Sequence, residues 1–398
     1  MNNFFLNKTK EFSKDLKNEI INYRRHFHKY PELSFNEFET SKFICKELDI
    51  LKIPYRNKIA KTGIVAVLQG KSKSKKISKK IIAIRSDMDA LPIKEENNIS
   101  YKSKNEGIMH ACGHDVHMAC LLGVARILKK LENYFSRKIY LIFQPAEEIL
   151  PGGAKLLLEE NIFTEEPEIV IAQHISPFIE VGNIALRKGL YMASCDEIYI
   201  KILSEGGHAA MPEKTIDTVL ISCHIVIALQ QIISRNKPAN LPAVLSFGKI
   251  ETGGAQNIIP KEVKIEGTLR TMDEEWRKKT KEKIKKIVNL MAESMGAKSE
   301  VKILDGYPVL KNDENISKKA EKLGKKFLGA NKVKNLEISM ASEDFSYFSQ
   351  KYPSLFFRIG TKNKEEKNIK KQHTSTFDID ENALEVGSGI MSYLALSL

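Results

Sequence analysis

Cys112 and His114 stand two residues apart in the run His110-Ala-Cys-Gly-His-Asp115, so one short turn offers a thiolate and an imidazole to the same metal ion. Downstream, Glu147 and Glu148 follow Pro145 and the apolar run 139–143, at the kind of strand end where α/β sheets place ligands. Adjacent residues there point in different directions, so one carboxylate is free to bind a cation while its neighbour faces the water beside it. Two isolated histidines complete the set: His174 after the apolar run 169–172, and His373 in Gln372-His-Thr-Ser-Thr-Phe377. Singly these residues have bland readings, namely a core cysteine, a capping histidine and a surface carboxylate pair. Together they form a donor set suited to Zn or Mn, and the chemistry such a set supports is hydrolysis.

The elements around them are those of an α/β protein. Charge and apolar groups alternate with helical spacing over 8–30 until Pro31, and a second helix is expected over 35–51. Strands are expected at 63–69 and 81–84, with the Lys/Ser-rich run 71–80 as a solvated hairpin connection between them. An apolar helix over 118–131 follows the Cys/His turn. Strands at 139–143 and 169–172 then flank a helix beginning near Gly152. Near residue 190 the pattern changes to strand 197–203, helix 216–233, strands 243–250 and 263–271, helix 273–295 and strand 299–304. That β-α-β-β-α-β order is ferredoxin-like. The remainder returns to helix, loop and strand and ends in a helix over 381–396. If His373 joins the first cluster, the small α+β domain is an insertion, which gives the divisions 1–188, 189–305 and 306–398.

Composition narrows the function classes. The formal charge is +13, from 63 Lys plus Arg against 50 Asp plus Glu in 398 residues. The lysines are scattered over expected surface helices and loops, with few arginines and little aromatic interleaving, so no nucleic-acid partner is expected. Five cysteines form no paired framework, the N-terminus has no long apolar segment, and the best apolar stretch, 219–233, is interrupted by His224 and two glutamines. We therefore expect a cytoplasmic chain with no membrane partner.

Eight blocks in order give a resemblance covering nearly the whole chain. They are Arg24-Arg-His-Phe-His-Lys-Tyr-Pro-Glu-Leu33, Arg85-Ser-Asp-Met-Asp-Ala-Leu-Pro92, His110-Ala-Cys-Gly-His-Asp115, Gln144-Pro-Ala-Glu-Glu148, Gly206-Gly-His-Ala-Ala-Met-Pro212, Asn257-Ile-Ile-Pro260, Gly267-Thr-Leu-Arg-Thr271 and Met340-Ala-Ser-Glu-Asp-Phe345. The chain resembles the M20 family of metallo-aminoacylases and peptidases, in the branch of hippurate hydrolases, N-acetyl-diaminopimelate deacetylases and auxin-conjugate hydrolases. The resemblance implies a zinc-peptidase-like catalytic domain interrupted by a ferredoxin-like α+β lid that mediates dimers, and so a homodimer or dimer-based oligomer.

Carried over block by block, the resemblance implies two divalent metal ions per subunit, Zn or Mn with Co or Ni admissible. Cys112 would bridge them, with His114, Glu148, His174 and His373 as further ligands. Glu147 would be the general base acting on metal-activated water, and Asp89 an acceptor that fixes a ligand imidazole. His208 would stabilise the carbonyl oxygen, its site often that of the partner subunit, while Asn257 and Arg270 would hold the substrate carboxylate. Peptidase branches of the family usually carry His where this chain has Asp87, a departure that fits the branch in which His114 supplies the imidazole. His110 and His117 read as structural or outer partners, and His26 and His28 as packing or hydrogen-bonding residues. The implied activity is hydrolysis of an N-acyl amino acid, a small molecule of the hippurate or N-acetyl-amino-acid type. Alternatives are a dipeptidase of the same family and a noncatalytic metal-binding protein on this fold.

Overall fold

The computed structural model describes residues 2–73, 80–365 and 368–398, so the centre of the expected hairpin connection, 74–79, lies outside the described residues. Two compact units are present: Met1–Tyr191 with Lys311–Glu337 and Asp344–Leu398, and Met192–Leu310 with Ile338–Glu343.

The first unit is built on an eight-stranded sheet in the order Tyr55–Ile59, Gly63–Gln69, Lys138–Gln144, Ile82–Asp87, Ile169–Glu180, Ser354–Lys362, Ile184–Leu186, Val333–Asn335. Four central strands, Lys138–Gln144 through Ser354–Lys362, run parallel. Their apolar runs are continuous rather than alternating because both faces are covered: every residue of Ile82–Asp87 is buried, as are six of the seven of Lys138–Gln144. Gly63–Gln69 and Ile82–Asp87 do not form a hairpin with each other. Each pairs with Lys138–Gln144, which lies between them.

The helix His114–Lys130 is buried at fourteen of its positions, and it packs with Lys17–Lys29 and Asn382–Ser397 in the main core. The expected helix over 8–30 is two helices, Asn2–Asp15 and Lys17–Lys29, interrupted at Leu16, although the Leu16 N–H and C=O still bond to Phe12 and Ile20. The next helix starts at Phe38 rather than 35, because Phe35 takes a left-handed φ of 62° and cannot extend it.

A buried ion network ties the helices Lys17–Lys29 and His114–Lys130 to each other and to the loops carrying Glu95 and Asp378. Arg24 Nε donates to Asp115 Oδ2 at 2.8 Å and Nη2 to Asp378 Oδ1 at 2.7 Å. His28 faces carboxylates with both ring nitrogens, Asp115 at 2.8 Å and Glu95 at 3.2 Å. Burial and the Arg24 charge oppose the imidazolium, but Asp115 and Glu95 outweigh them and raise its pKa. A His pKa raised on folding contributes stability in full below the unfolded value of about 6.5, and that contribution is lost as pH rises through the folded value. His28→Gln is therefore expected to cost about 3 kcal/mol at pH 6. Paired thermal melts of wild type and variant should show the gap narrowing toward pH 9, whereas a pH-independent gap would contradict the charged pair.

In the second unit a four-stranded antiparallel sheet has the order Ala243–Thr252, Glu262–Thr271, Ser194–Leu203, Lys298–Asp305, with helices Thr218–Leu229 and Glu274–Ser294 packed on it. By length and mean hydropathy alone Thr218–Asn236 passes the test for a membrane span, which a packed core helix also passes. Its Ile221, Ile225, Leu229 and Ile232 nonetheless fill the core against the sheet, at the spacing of a packed helix face.

Candidate metal centre

The site forms at the carboxyl ends of the parallel strands. Ile82–Asp87 delivers Asp87 and Asp89, Lys138–Gln144 delivers Glu147 and Glu148, and Ile169–Glu180 carries His174. Cys112 and His114 arrive on the turn that opens the central helix. Gly113 makes that turn possible, since its φ is 94° and a Cβ there would sit 2.5 Å from Ile175 Cγ1.

Each expected ligand histidine in the interior has one nitrogen committed. His174 Nδ1–H donates to the Ile175 carbonyl at 3.0 Å, leaving Nε2 to face Cys112 Sγ at 3.6 Å. His114 Nδ1–H donates to Asp89, to the carbonyl at 2.9 Å and to Oδ1 at 3.2 Å, leaving Nε2 3.8 Å from Glu148 Oε1. His373 Nε2 lies 3.5 Å from the same Glu148 oxygen, and its backbone N–H is anchored on Ala111 O at 2.9 Å. His114 Nε2 and Glu148 Oε1 are buried with no hydrogen bond among the described residues.

These spacings fit cations. A tetrahedral ion holding sulfur at about 2.3 Å and nitrogen at about 2.05 Å keeps the two about 3.5 Å apart, and a nitrogen–oxygen pair about 3.4 Å apart. Cys112 groups with His114 and His174 on one side, and with Glu148 and His373 on the other. The electrostatics agree. Burial, with the Glu148 charge, pushes the Cys112 thiol up to about 12, so a thiolate there needs a cation beside it. Burial disfavours positive charge on His114, yet Asp87, Cys112 and Asp89 outweigh it and raise its pKa, so this spot favours positive charge. Burial and the nearby Arg358 hold His174 well below its ordinary value, neutral and with its lone pair available.

One carboxylate organises the acidic half. Asp89 Oδ1 accepts from the Glu147 N–H at 3.0 Å as well as from His114, and Oδ2 accepts from the Glu148 N–H at 3.0 Å and Ser34 Oγ at 2.6 Å. The preceding residue, Ala146, has a left-handed φ of 48°, which in a non-glycine costs about 1–2 kcal/mol. The turn brings an oxygen of Glu147 and one of Glu148 into one group with His114, within 4.8 Å of one another.

His117 and Asp87 also cluster with His114, but both are spent elsewhere. His117 Nδ1–H donates to Asp87 Oδ1 at 2.6 Å while Nε2 accepts the Ile175 N–H at 3.0 Å, and Asp87 Oδ2 accepts from Arg85 at 2.7 Å. Gln372 adds a donor that the sequence reading did not single out, its Nε2 reaching Cys112 Sγ at 3.4 Å and Cys112 O at 3.0 Å. Its position beside His373 was the one signal for it.

His208, Asn257 and Arg270 belong to the second unit. His208 and Asn257 line one cavity of about 860 Å³. The Ala210 N–H donates to His208 Nδ1 at 3.1 Å, fixing the neutral ring as the tautomer with its proton on Nε2. Arg270 is not among that cavity's lining residues. Its Nη1 donates to Ser342 Oγ at 2.9 Å and its Nε to Thr268 Oγ1 at 3.3 Å.

Comparison with known proteins points the same way. The description of peptidase family M20/M25/M40 matches residues 83–397. The chain is similar to thermostable carboxypeptidase 2 of Saccharolobus solfataricus, 37% identical over 98% of both chains. It is also similar to N-acetyl-L-cysteine deacetylase of Bacillus subtilis, 39% identical over 93% of this chain and 85% of that one. Among solved structures it is similar to the YXEP protein of Bacillus subtilis, described as a dinuclear metal binding peptidase from the M20 family. The TM-score is 0.81 at 33% identity, covering 96% of this chain and 98% of that one.

Proposed function

The chain belongs to peptidase family M20/M25/M40, and from that premise we propose that it hydrolyses the amide of N-acyl amino acids, with Glu147 as general base. It is a hydrolase acting on amide bonds. Cys112, His114, Glu148, His174 and His373 are assigned as donors to two divalent ions, with Cys112 shared, as its membership of both donor groups supports. The observation that carries the reading is Asp89, whose one carboxylate fixes His114 and the backbone of both Glu147 and Glu148. A ligand imidazole, a ligand carboxylate and a base are thereby held by a single group.

When bound, divalent ions at such a site supply Lewis acidity, lowering the pKa of water and polarising a carbonyl. Glu147 takes one proton from the water whose oxygen attacks the amide carbon. It then gives that proton to the amide nitrogen as the C–N bond breaks, leaving a carboxylic acid and a free amine, and the acid's remaining proton passes to the amine to give the carboxylate and the ammonium form of the amino acid. His208, with Nε2–H outward, is assigned to the developing oxyanion, and Asn257 and Arg270 to the substrate carboxylate. The donor set admits Zn, Mn, Co or Ni, and supply decides among them.

The substrate class follows from what two relatives' names share. Removal of an acetyl group from N-acetylcysteine and removal of a C-terminal residue by a carboxypeptidase both free an amino acid from an acyl group on its nitrogen. Metal-stripped protein reloaded with Mn or Zn should release amino acid from N-acetyl and N-benzoyl amino acids. The same panel carries free dipeptides and N-blocked dipeptides. Turnover confined to free dipeptides would favour the dipeptidase alternative, and turnover of N-blocked peptides would extend the activity toward a carboxypeptidase. No turnover of any of them by metal-loaded protein would sink the reading.

We assign the second unit as a ferredoxin-like lid that also mediates a homodimer. Its β-α-β-β-α-β order supports the fold assignment. Val219, Leu220 and Ile227, exposed on the helix Thr218–Leu229, and Ile250 on the edge strand supply an apolar surface suited to a second copy.

A further inference from the structure

Glu37 is a fully buried carboxylate that the proposed chemistry does not use. It precedes the helix Phe38–Ile50, far in sequence from every assigned site residue, and its own carbonyl accepts the Ser41 N–H at 2.9 Å. Its two oxygens are divided. Oε1 accepts the backbone N–H of Ala146 at 2.9 Å, and Oε2 accepts from Thr62 Oγ1 at 2.6 Å, in the turn between the strands Tyr55–Ile59 and Gly63–Gln69.

Ala146 is the left-handed residue immediately before Glu147 and Glu148, and it is itself fully buried. A buried N–H needs an acceptor, and Glu37 is the one that Ala146 has. On the other side, the Ala146 carbonyl accepts the Gly153 N–H at 2.8 Å. The strained turn is thus pinned at both of its polar groups. The pinning leaves the next two N–H groups aimed at Asp89.

We propose that Glu37 is a positioning residue for the Glu147–Glu148 pair, holding the Ala146 turn so that one carboxylate faces the reacting water and the other the metal ions. This rests on the roles assigned above to Glu147 and Glu148. A carboxylate is a costly choice for accepting two neutral donors in a buried place, and burial together with the Asp89 charge pushes it up to about 7. The hydrogen bond rather than the charge carries the role, so a glutamine can stand in: its Oε1 still accepts from Ala146, and its Nε2 can donate to Thr62 Oγ1.

The test compares Glu37→Leu, Glu37→Asp and Glu37→Gln in the metal-loaded enzyme, with kcat, KM and metal retained against a competing chelator as readouts. Glu37→Leu is expected to lower kcat and metal retention by about 10–100-fold, the cost typical of losing an outer hydrogen-bond partner. KM should stay within about threefold, because uniform binding is untouched. Glu37→Gln should recover most of both losses. Glu37→Asp, too short by one methylene to reach both partners, should fall between them and serves if the leucine variant does not fold. Wild-type kcat and metal retention in Glu37→Leu, or in Glu37→Asp where it is the one that folds, would overturn the proposal even if Tm fell. Equal losses in the aspartate and glutamine variants would overturn it as well. Failure of the underlying reading is distinguishable, because then Glu147→Gln would stay active whatever the Glu37 series does.

Discussion

Glu147→Gln is expected to lower kcat for N-acyl amino acid hydrolysis by about 10²–10⁴-fold, the usual contribution of a positioned general base. That range corresponds to about 2.7–5.5 kcal/mol of barrier. Glutamine has nearly the shape of glutamate, and its backbone N–H can still donate to Asp89 Oδ1, so the turn and its neighbour Glu148 should keep their places. What it lacks is the ability to take a proton. KM and metal content should therefore change little, the pattern of an interaction made only in the transition state. Glu148→Gln is the informative contrast. Its Oε1 lies within 3.8 Å of both His114 Nε2 and His373 Nε2, so loss of its charge should show first as loss of metal. Steady-state kinetics with metal analysis on both variants separates the roles. A Glu147→Gln enzyme retaining more than about a tenth of wild-type kcat would show that the proton goes elsewhere.

The division of labour between these neighbours shows where sequence reading reaches and where it stops. Donor chemistry was legible because it depends on residue type. Cys112, His114, Glu148, His174 and His373 stand out as the groups able to hold a soft-to-borderline cation, and their ligand atoms fall into overlapping groups less than 4.8 Å across. Three of the four parallel strands were legible because burial on both faces leaves continuous apolar runs, whereas the fourth, Ser354–Lys362, was not placed. Strand neighbours were not. That Lys138–Gln144 lies between Gly63–Gln69 and Ile82–Asp87 is a nonlocal choice, and no local pattern encodes it. The outer partners were the least legible. Nothing in the local sequence of Glu37 or Ser34 distinguishes them from surface polar residues, and Gln372 is marked only by its place beside His373, since each works by a hydrogen bond to a site assembled from distant segments. His117 is the instructive middle case. Its type suggests a ligand, and only its two hydrogen bonds, to Asp87 and from the Ile175 N–H, show that both nitrogens are taken.

Cys112 is where loss of one side chain should disturb the most. It is the donor common to both groups, so Cys112→Ala removes a ligand from each proposed ion at once. Loss of an outer partner commonly costs 10–100-fold, so loss of this shared donor should cost at least about 100-fold in activity. Cys112→Ser should do little better, because an alcohol ionises far less readily than a thiol and cannot offset the charge of two cations. Chelation should match the alanine variant and should also lower the melting temperature. Metal present at about 100 times its Kd stabilises the folded chain by about 2.7 kcal/mol per site, and that term vanishes on stripping. The sign with pH follows from the donors. Burial leaves the free thiol near 12, and His114 is held above its ordinary value, so binding must release protons and should weaken as pH falls. Titrating stripped protein with Zn at pH 6 and pH 8, with activity and melting temperature read in parallel, checks all of this. Undiminished turnover by Cys112→Ala would remove the thiolate from the centre.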